Sequence, residues 1–208
     1  TDAEGAVHVL DAEAGAIVIF APNGDYLRTI LPSESAFVRA RGLTVDSAGR
    51  IWVAHTPGQR ILAFAPDGAL LHEFPVWLGE DAQVTDVAVT SDGTIYAVAM
   101  GINKLVQYDA AGTRTGAWDV APANTLDAPH LALGIGEPPD IYISQPEESR
   151  IVLHTRAGAT VVHGAFWQLP QQPDMVKPIG LAAAADGSIW IADAYGSRVV
   201  RLEPATKP

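Results

Sequence analysis

The feature that most constrains this chain is a unit of sequence that recurs along its length every 44 to 48 residues. An isoleucine marks the same place in four copies, and a basic residue follows it nine positions later. These residues are Ile51, Ile95, Ile141 and Ile189, followed by Arg60, Lys104, Arg150 and Arg198. An earlier copy places Val7 and Ile17 44 residues before Ile51 and Ile61. Periods of this length indicate a repeat architecture in which each copy folds as one supersecondary unit.

Each copy is predicted to form a small antiparallel sheet. In the second copy, four short segments rich in β-branched and aromatic residues cover 43–46, 51–54, 60–65 and 70–74. Turns that contain Asn-Gly or Asp-Gly separate such segments in most copies. No segment has the sustained periodicity of a helix, so we predict none. We call the four strands a to d, from the axis of the predicted fold outward.

Units of about 40 to 50 residues with four strands each are typical of β-propeller blades. We therefore predict an all-β fold, a single propeller domain over residues 1–208 built from four-stranded antiparallel blades. The five copies cover approximately 5–40, 41–84, 85–128, 129–177 and 178–208. The first lacks strand a and the last lacks strand d, which predicts 18 strands. This number fits a five-bladed ring or most of a six-bladed ring, and we favour the second.

The repeats also resemble a known family. Residues 42–68 read GLTVDSAGRIWVAHTPGQRILAFAPDG, which is similar to the NHL repeat, and 86–112 and 180–204 show the same pattern. The resemblance implies an NHL-type β-propeller, a scaffold that serves many functions. A more distant similarity is to peptidylglycine amidating-lyase-type propellers, whose loop sequence is partly matched by residues 193–199. That similarity implies a metal held by histidines on inner strands.

Composition excludes several function classes. The chain carries 13 Lys and Arg against 24 Asp and Glu, a formal net charge of -11, which disfavours nucleic acid and anionic lipid as partners. It contains no cysteine, which excludes disulfides and thiolate chemistry. No apolar run reaches the ~18 residues of a membrane helix, so we predict no direct membrane insertion by this segment. Acidity and the absence of cysteine favour an extracytoplasmic location, either periplasmic or secreted.

Ligands of propellers usually bind near the axis, on the face where strands a begin and strands b end. We call these positions the axial mouth. The candidate binding residues there are Asp11, Arg41, His55, Asp86, His130, Gln145 and Asp193. For Asp11 and Asp193 the alternative is capping of their own loops, because a carboxylate readily accepts hydrogen bonds from nearby N–H groups. The basic residues at 60, 104, 150 and 198 are interpreted as structural partners.

We predict no cofactor and no metal site. If a metal is bound, its candidate ligands are His55, His130 and Asp86, since imidazole and carboxylate together suit Zn or another divalent ion such as Ca. No P-loop, dinucleotide fingerprint or nucleophile elbow occurs, and the sequence identifies no catalytic residue.

Two tryptophans, Trp77 and Trp167, lie in long connections between strands d and a. Loops of this kind on a rigid scaffold often carry binding specificity, and Trp is a common anchor for protein partners. The leading hypothesis is therefore a non-enzymatic binding or scaffold module that presents loops to a protein partner or to its own complex. The alternative is a metal-dependent propeller enzyme, either amidating-lyase-like or a lactonase-like hydrolase.

Overall fold

The computed structural model describes residues 1–31, 39–76, 79, 82–102, 104–120, 129–134, 138–157, 160–163 and 177–203. Within these ranges the chain forms five antiparallel sheets. The first contains β1 (Val7–Asp11), β2 (Ala16–Phe20) and β3 (Tyr26–Ile30). The second contains β4 (Gly42–Val45), β5 (Ile51–His55), β6 (Arg60–Phe64) and β7 (Leu70–Pro75), and the third β8 (Gln83–Val89), β9 (Ile95–Met100), β10 (Lys104–Tyr108) and β11 (Arg114–Asp119). The fourth contains β12 (Leu131–Leu133), β13 (Ile141–Gln145), β14 (Arg150–Ala157) and β15 (Thr160–His163), and the fifth β16 (Pro178–Ala183), β17 (Ile189–Asp193) and β18 (Arg198–Leu202).

Neighbouring strands in every sheet are consecutive in the chain, as in a meander. The described part of the chain has sheets of three, four, four, four and three strands, which is the distribution that the repeats predict. Tight turns connect strands a and b, and Gly49, Gly93 and Gly187 adopt φ values of 74°, 86° and 84° there. Only glycine takes up such positive φ values without strain, so the position of these glycines helps to fix where the strands end.

The prediction that no helix occurs is wrong in a small respect. Two single-turn 3-10 helices, Thr56–Gly58 and Pro146–Glu148, follow strand b in the second and fourth sheets. A proline lies in the first two positions of each, where its missing N–H costs nothing. Among the described residues, no helix is long and apolar enough to cross a membrane.

Four hydrophobic cores join the five sheets in chain order. The first lies between the first and second sheets and includes Ile17 and Ile51. The second joins the second and third sheets, and the third joins the third and fourth. The last includes Ile151 and Ile191 and joins the fourth to the fifth. Each core is thus shared by two adjacent repeats, which is how propeller blades pack.

One aromatic position of the repeat is buried between sheets in the middle of the chain and exposed in the last sheet. Trp52, Tyr96 and Tyr142 occupy it in the second, third and fourth sheets, and all three are buried. The sequence predicts the same blade-to-blade packing for Trp190, but this prediction is wrong, because Trp190 is 44% exposed. No described sheet covers that face of the fifth sheet, and Arg201 lies over the indole ring at 5.8 Å from its centroid.

A buried carboxylate anchors the second sheet. Asp46 Oδ2 accepts hydrogen bonds from Trp52 Nε1 at 2.8 Å and from Arg50 Nε at 2.7 Å. Its Oδ1 accepts from the backbone N–H groups of Ala48 and Arg50. Burial opposes ionisation of Asp46, but these hydrogen bonds outweigh it and hold its pKa below the ordinary value.

We expect Asp46→Asn to lower the free energy of unfolding at pH 7 by about 2–3 kcal/mol. The side-chain NH₂ group of the asparagine would replace one carboxylate oxygen and would face an N–H donor without an acceptor between them. The depressed pKa of Asp46 means that its contribution is fully present above the pKa of an unfolded Asp, about 3.9, and is lost as the pH falls through the folded value. The difference between wild type and variant should therefore shrink below about pH 4. Urea titrations of wild type and variant at pH 7 and pH 3 measure the loss of stability and its dependence on pH.

The matched control is Asp67→Asn, since Asp67 is exposed and accepts one backbone hydrogen bond, from Ala69 N. We expect a change within about 0.5 kcal/mol for this variant. Equal effects of the two substitutions, or an Asp46 effect that persists undiminished at pH 3, would contradict this account.

Candidate functional site

In four of the five repeats, the residue at the end of strand b accepts a hydrogen bond from its own loop or from the basic residue that starts the next strand. His55 Nδ1 accepts hydrogen bonds from Gly58 N and from Arg60 Nε, both at 3.2 Å. Gln145 Oε1 accepts from Arg150 Nε at 2.6 Å in the same way. Because Nδ1 of His55 accepts a backbone N–H, that nitrogen carries no proton and is engaged within the second sheet.

Asp193 and Asp11 occupy the same position in the fifth and first repeats. Asp193 is buried and accepts from Lys177 N at 2.8 Å, Gly196 N at 3.4 Å and Arg198 Nε at 3.0 Å. Asp11 is exposed and accepts from two backbone N–H groups of its loop. Both aspartates therefore cap their loops. Any part that the strand b residues play in ligand binding stays a prediction.

The third repeat has Ala99 at this position, with no polar side chain. Lys104, the basic residue of that repeat, pairs instead with Asp119 on the neighbouring strand β11. The basic residues at 60, 104, 150 and 198 thus all have a partner within their own sheet, which is the structural role predicted for them.

Two predicted axial-mouth residues from different sheets are in contact: Asp86 within strand β8 and His130 just before strand β12. Among the described residues, they are the one such pair. His130 Nδ1 lies 3.2 Å from Asp86 Oδ2, although the two residues are 44 positions apart. The same carboxylate oxygen accepts a hydrogen bond from Leu131 N at 3.0 Å, and Asp86 Oδ1 accepts from Val87 N at 2.9 Å. The pair therefore joins the third sheet to the fourth at their inner edges.

Further hydrogen bonds hold the backbone on either side of this pair. His130 N donates to Ser144 Oγ at 2.9 Å, and Thr85 Oγ1 donates to the carbonyl of Pro129 at 2.7 Å. The Asp86 side chain is 12% exposed and the His130 side chain is 26% exposed. The carboxylate is thus largely enclosed, and part of the imidazole faces solvent.

This arrangement leaves one nitrogen of His130 available. With Nδ1 facing the carboxylate, the proton of a neutral imidazole lies on Nδ1 and the lone pair lies on Nε2. Nε2 of His130 makes no hydrogen bond to any residue within the described ranges. An imidazole oriented by a carboxylate, with its other nitrogen open, is able to accept a proton from a bound molecule.

Gly42 packs against this pair from the second sheet. A Cβ placed on Gly42 would lie 2.3 Å from Asp86 Oδ1, 2.5 Å from Asp86 Cα and 2.8 Å from the Thr85 carbonyl oxygen. Two of these three atoms belong to the backbone of β8, so no side-chain rotation would relieve the overlap. Glycine at position 42 is therefore what allows strands β4 and β8 to approach so closely.

The metal candidates do not come together as a set of three. Asp86 and His130 are in contact, whereas the Nδ1 of His55 is occupied by its own loop and by Arg60. Across the described ranges, no group of three His, Cys, Asp or Glu side chains is placed to hold a metal ion. The residues that the structure describes therefore do not fit a metal site with three ligands from this set.

A cavity of about 370 Å³ lies on the same face, next to Arg41. Its described lining residues lie on or between the first three sheets and are Ala12, Arg39, Ala40, Arg41, Thr56, Pro57, Gln59 and Gln83. Repeat alignment places Arg41 at the axial mouth, but it gives no signal for Arg39, which lies in a connection between sheets, or for Gln59, whose equivalents in the fourth and fifth repeats are serines. Trp77 and Trp167 lie outside the described residues.

Several solved structures that are similar to this chain carry the names of enzymes. A streptogramin B lyase is 20% identical with a TM-score of 0.72, and the alignment covers 97% of this chain and 63% of that one. Virginiamycin B lyase from Staphylococcus aureus is 17% identical with a TM-score of 0.67, covering 99% and 69%. A gluconolactonase from Xanthomonas campestris is 17% identical with a TM-score of 0.69, covering 98% and 73%. This chain thus spans about two thirds of the length of these proteins.

No protein-family model matches the sequence, and no curated protein matches it. At identities of 20% or below, the structural similarity establishes the fold alone. The chain is an all-β protein of the β-propeller type, as predicted. The similar structures are propellers of the gluconolactonase and virginiamycin B lyase type, and the narrower NHL assignment stays a prediction.

The contacts of Asp193 predict its contribution to stability. Asp193→Ala removes three hydrogen bonds and leaves the half-enclosed Arg198 without its carboxylate, so we expect a loss of about 2–3 kcal/mol in the free energy of unfolding. Asp11→Ala is the matched control at the equivalent, exposed position, and should cost less than about 1 kcal/mol. Chemical denaturation of both variants tests this. Equal losses for the two variants would show that position in the repeat, and not burial, decides the effect.

Proposed function

We propose that this propeller is an enzyme whose active site lies at the axial mouth, where His130 accepts a proton and Asp86 positions it. The observation that carries the proposal is the contact between His130 Nδ1 and Asp86 Oδ2, with Nε2 left open and the imidazole partly exposed. The other predicted mouth residues whose side-chain contacts are described, at positions 11, 55, 145 and 193, contact their own loop or the basic residue after it. This pair is different because it joins two sheets.

The names of the structural neighbours support an enzymatic function. They include lyases and a gluconolactonase, and a histidine-to-alanine variant of virginiamycin B lyase is described as catalytically inactive. Elimination by a lyase removes a proton from the substrate, and hydrolysis of a lactone removes one from the attacking water. Both reaction classes therefore need a base, and an imidazole held by a carboxylate suits that task.

In this mechanism Nε2 of His130 takes the proton, and the imidazolium that forms is stabilised by the adjacent Asp86 carboxylate. Asp86 is kept in place by the N–H groups of Leu131 and Val87, so that it does not have to reorganise during the reaction. The protonated imidazole then returns the proton to the leaving group. Asp86 is a positioning residue, because it acts through His130.

The alternative function, a non-enzymatic scaffold, rests on loop tryptophans that lie outside the described residues. It stays a prediction, and the same assay separates the two proposals. A scaffold would show no turnover that depends on His130.

We expect His130→Gln to lower kcat/KM by about 100-fold or more, since general base catalysis contributes about 10²–10⁴ to rate. Asp86→Asn should lower kcat by about tenfold or more with little change in KM, because it disturbs the orientation of the imidazole. The probes are glucono-δ-lactone hydrolysis, followed by acid release, and cleavage of virginiamycin B, followed by mass spectrometry.

The control is His72→Gln, which changes an exposed histidine on strand β7. It should leave both rates unchanged, and thermal melting should show that all three variants are folded. If neither probe is turned over, or if His130→Gln retains the wild-type rate, the proposal is wrong.

A further inference from the structure

Two arginines of the cavity have no partner among the residues that the structure describes. The guanidinium groups of Arg39 and Arg41 are exposed and make no hydrogen bond or ion pair with a described residue. Most basic side chains in the described ranges are different, because they contact a carboxylate, a side-chain amide or a carbonyl oxygen. Those residues are Arg28, Arg50, Arg60, Lys104, Arg150, Lys177, Arg198 and Arg201.

None of the described lining residues of the cavity is acidic, although the chain has a net charge of -11. Two described carboxylates near the cavity are already engaged, while Glu13, which follows the lining residue Ala12, is exposed to solvent. Asp11, next to the lining residue Ala12, accepts two N–H groups of its loop, and Asp86 is occupied by His130. The pair of guanidinium groups therefore creates a local positive potential that an anion would meet on entering the cavity.

A third lining residue adds a polar group without a partner. Gln59 has φ of 46° and ends the 3-10 turn of the second sheet, and its Oε1 is buried without a hydrogen bond in the described structure. The equivalent residues in the fourth and fifth repeats are Ser149 and Ser197, with φ of 53° and 48°. The long amide is thus not required by the turn. A buried acceptor without a donor is costly, and a donor supplied from the cavity would relieve that cost.

The cavity adjoins the proposed active site. Gln83, one of its lining residues, begins strand β8, which carries Asp86 three residues later. Arg41 directly precedes Gly42, whose backbone packs against Asp86. A molecule bound in the cavity near Gln83 would therefore lie about 10 Å along β8 from Asp86.

We infer that this cavity binds the carboxylate of a small, hydroxylated organic acid, with Arg39 and Arg41 contacting the carboxylate and Gln59 accepting a hydrogen bond from a hydroxyl group. Arginine is suited to this because its planar fork binds a carboxylate through two parallel hydrogen bonds. The claim that such an acid is the substrate rests on the proposed function. The claim that the cavity binds it does not.

The test compares two six-carbon probes that differ in charge: gluconate, a hydroxylated carboxylate, and sorbitol, an uncharged polyol. Isothermal titration calorimetry should show binding of gluconate to the wild-type chain at least about tenfold tighter than that of sorbitol. Arg39→Gln and Arg41→Gln should each weaken gluconate binding about five- to tenfold, and the double variant should remove the preference over sorbitol. The affinity should also fall as salt is raised.

Two further variants serve as controls. Arg114→Gln makes the same charge change on the outer strand β11, away from the cavity, and should leave the affinity unchanged. Gln59→Ser introduces the residue found at this turn in two other repeats, so that folding is preserved while the amide is lost. It should weaken gluconate binding about threefold or more without changing the melting temperature by more than a few degrees.

Inorganic phosphate distinguishes a carboxylate subsite from a general anion site. Phosphate binding as tight as that of gluconate would overturn the inference, as would equal binding of gluconate and sorbitol or an effect of Arg114→Gln equal to that of Arg41→Gln. His130→Gln separates the two proposals, because it should lower kcat/KM by about 100-fold or more and leave gluconate binding intact. Arginine-dependent binding without turnover would support this inference and contradict the proposed function.

Discussion

The packing of each sheet against the next is the interaction on which the rest of the structure depends. In isolation, a sheet of three or four short strands that is apolar on both faces would expose apolar surface to water and would not be stable. Here the residues of one repeat, such as Trp52 and Ile61, pack against those of the following repeat, such as Val87 and Ile95. Folding of one unit therefore supports its neighbours, and the order of the sheets in space follows their order in the chain.

The same packing brings the functional residues together. Asp86 and His130 are far apart in sequence, and they meet because each stands at the same position of successive repeats. Strand pairing alone would leave them on separate sheets. Their contact depends on the core between the third and fourth sheets, which includes Ala88, Leu131 and Ile143. The proposed chemistry is thus a product of the interface between repeats.

Much of the fold could be predicted from the repeats, because turn glycines and β-branched runs are local signals. The third strand of the second sheet was expected at 60–65 and is found at Arg60–Phe64. The exposure of Trp190 could not be predicted in this way, since alignment of repeats assumes a neighbour on both sides of every sheet. The 3-10 turns escaped prediction because three residues are too few to show periodicity.

The candidate site was only partly predictable for a related reason. Sequence position placed His55, Asp86 and His130 on one face, but which partner each side chain takes depends on competing local donors. His55 is satisfied within its own loop by Gly58 N and Arg60, and so it does not join the other two. The role of Arg39 depends on the shape of a connection, which residue spacing does not determine.

The close fit of Gly42 against Asp86 has a consequence for how mutational data on this protein should be interpreted. A methyl group there would push β8 outward and carry Asp86 away from the imidazole, although Gly42 has no side chain to take part in any reaction. In a saturation mutagenesis scan, substitutions of this glycine would lower activity, as substitutions of the residues that take part in the reaction do. Intolerance to substitution would then mark the empty space that the carboxylate needs, as well as the groups that react.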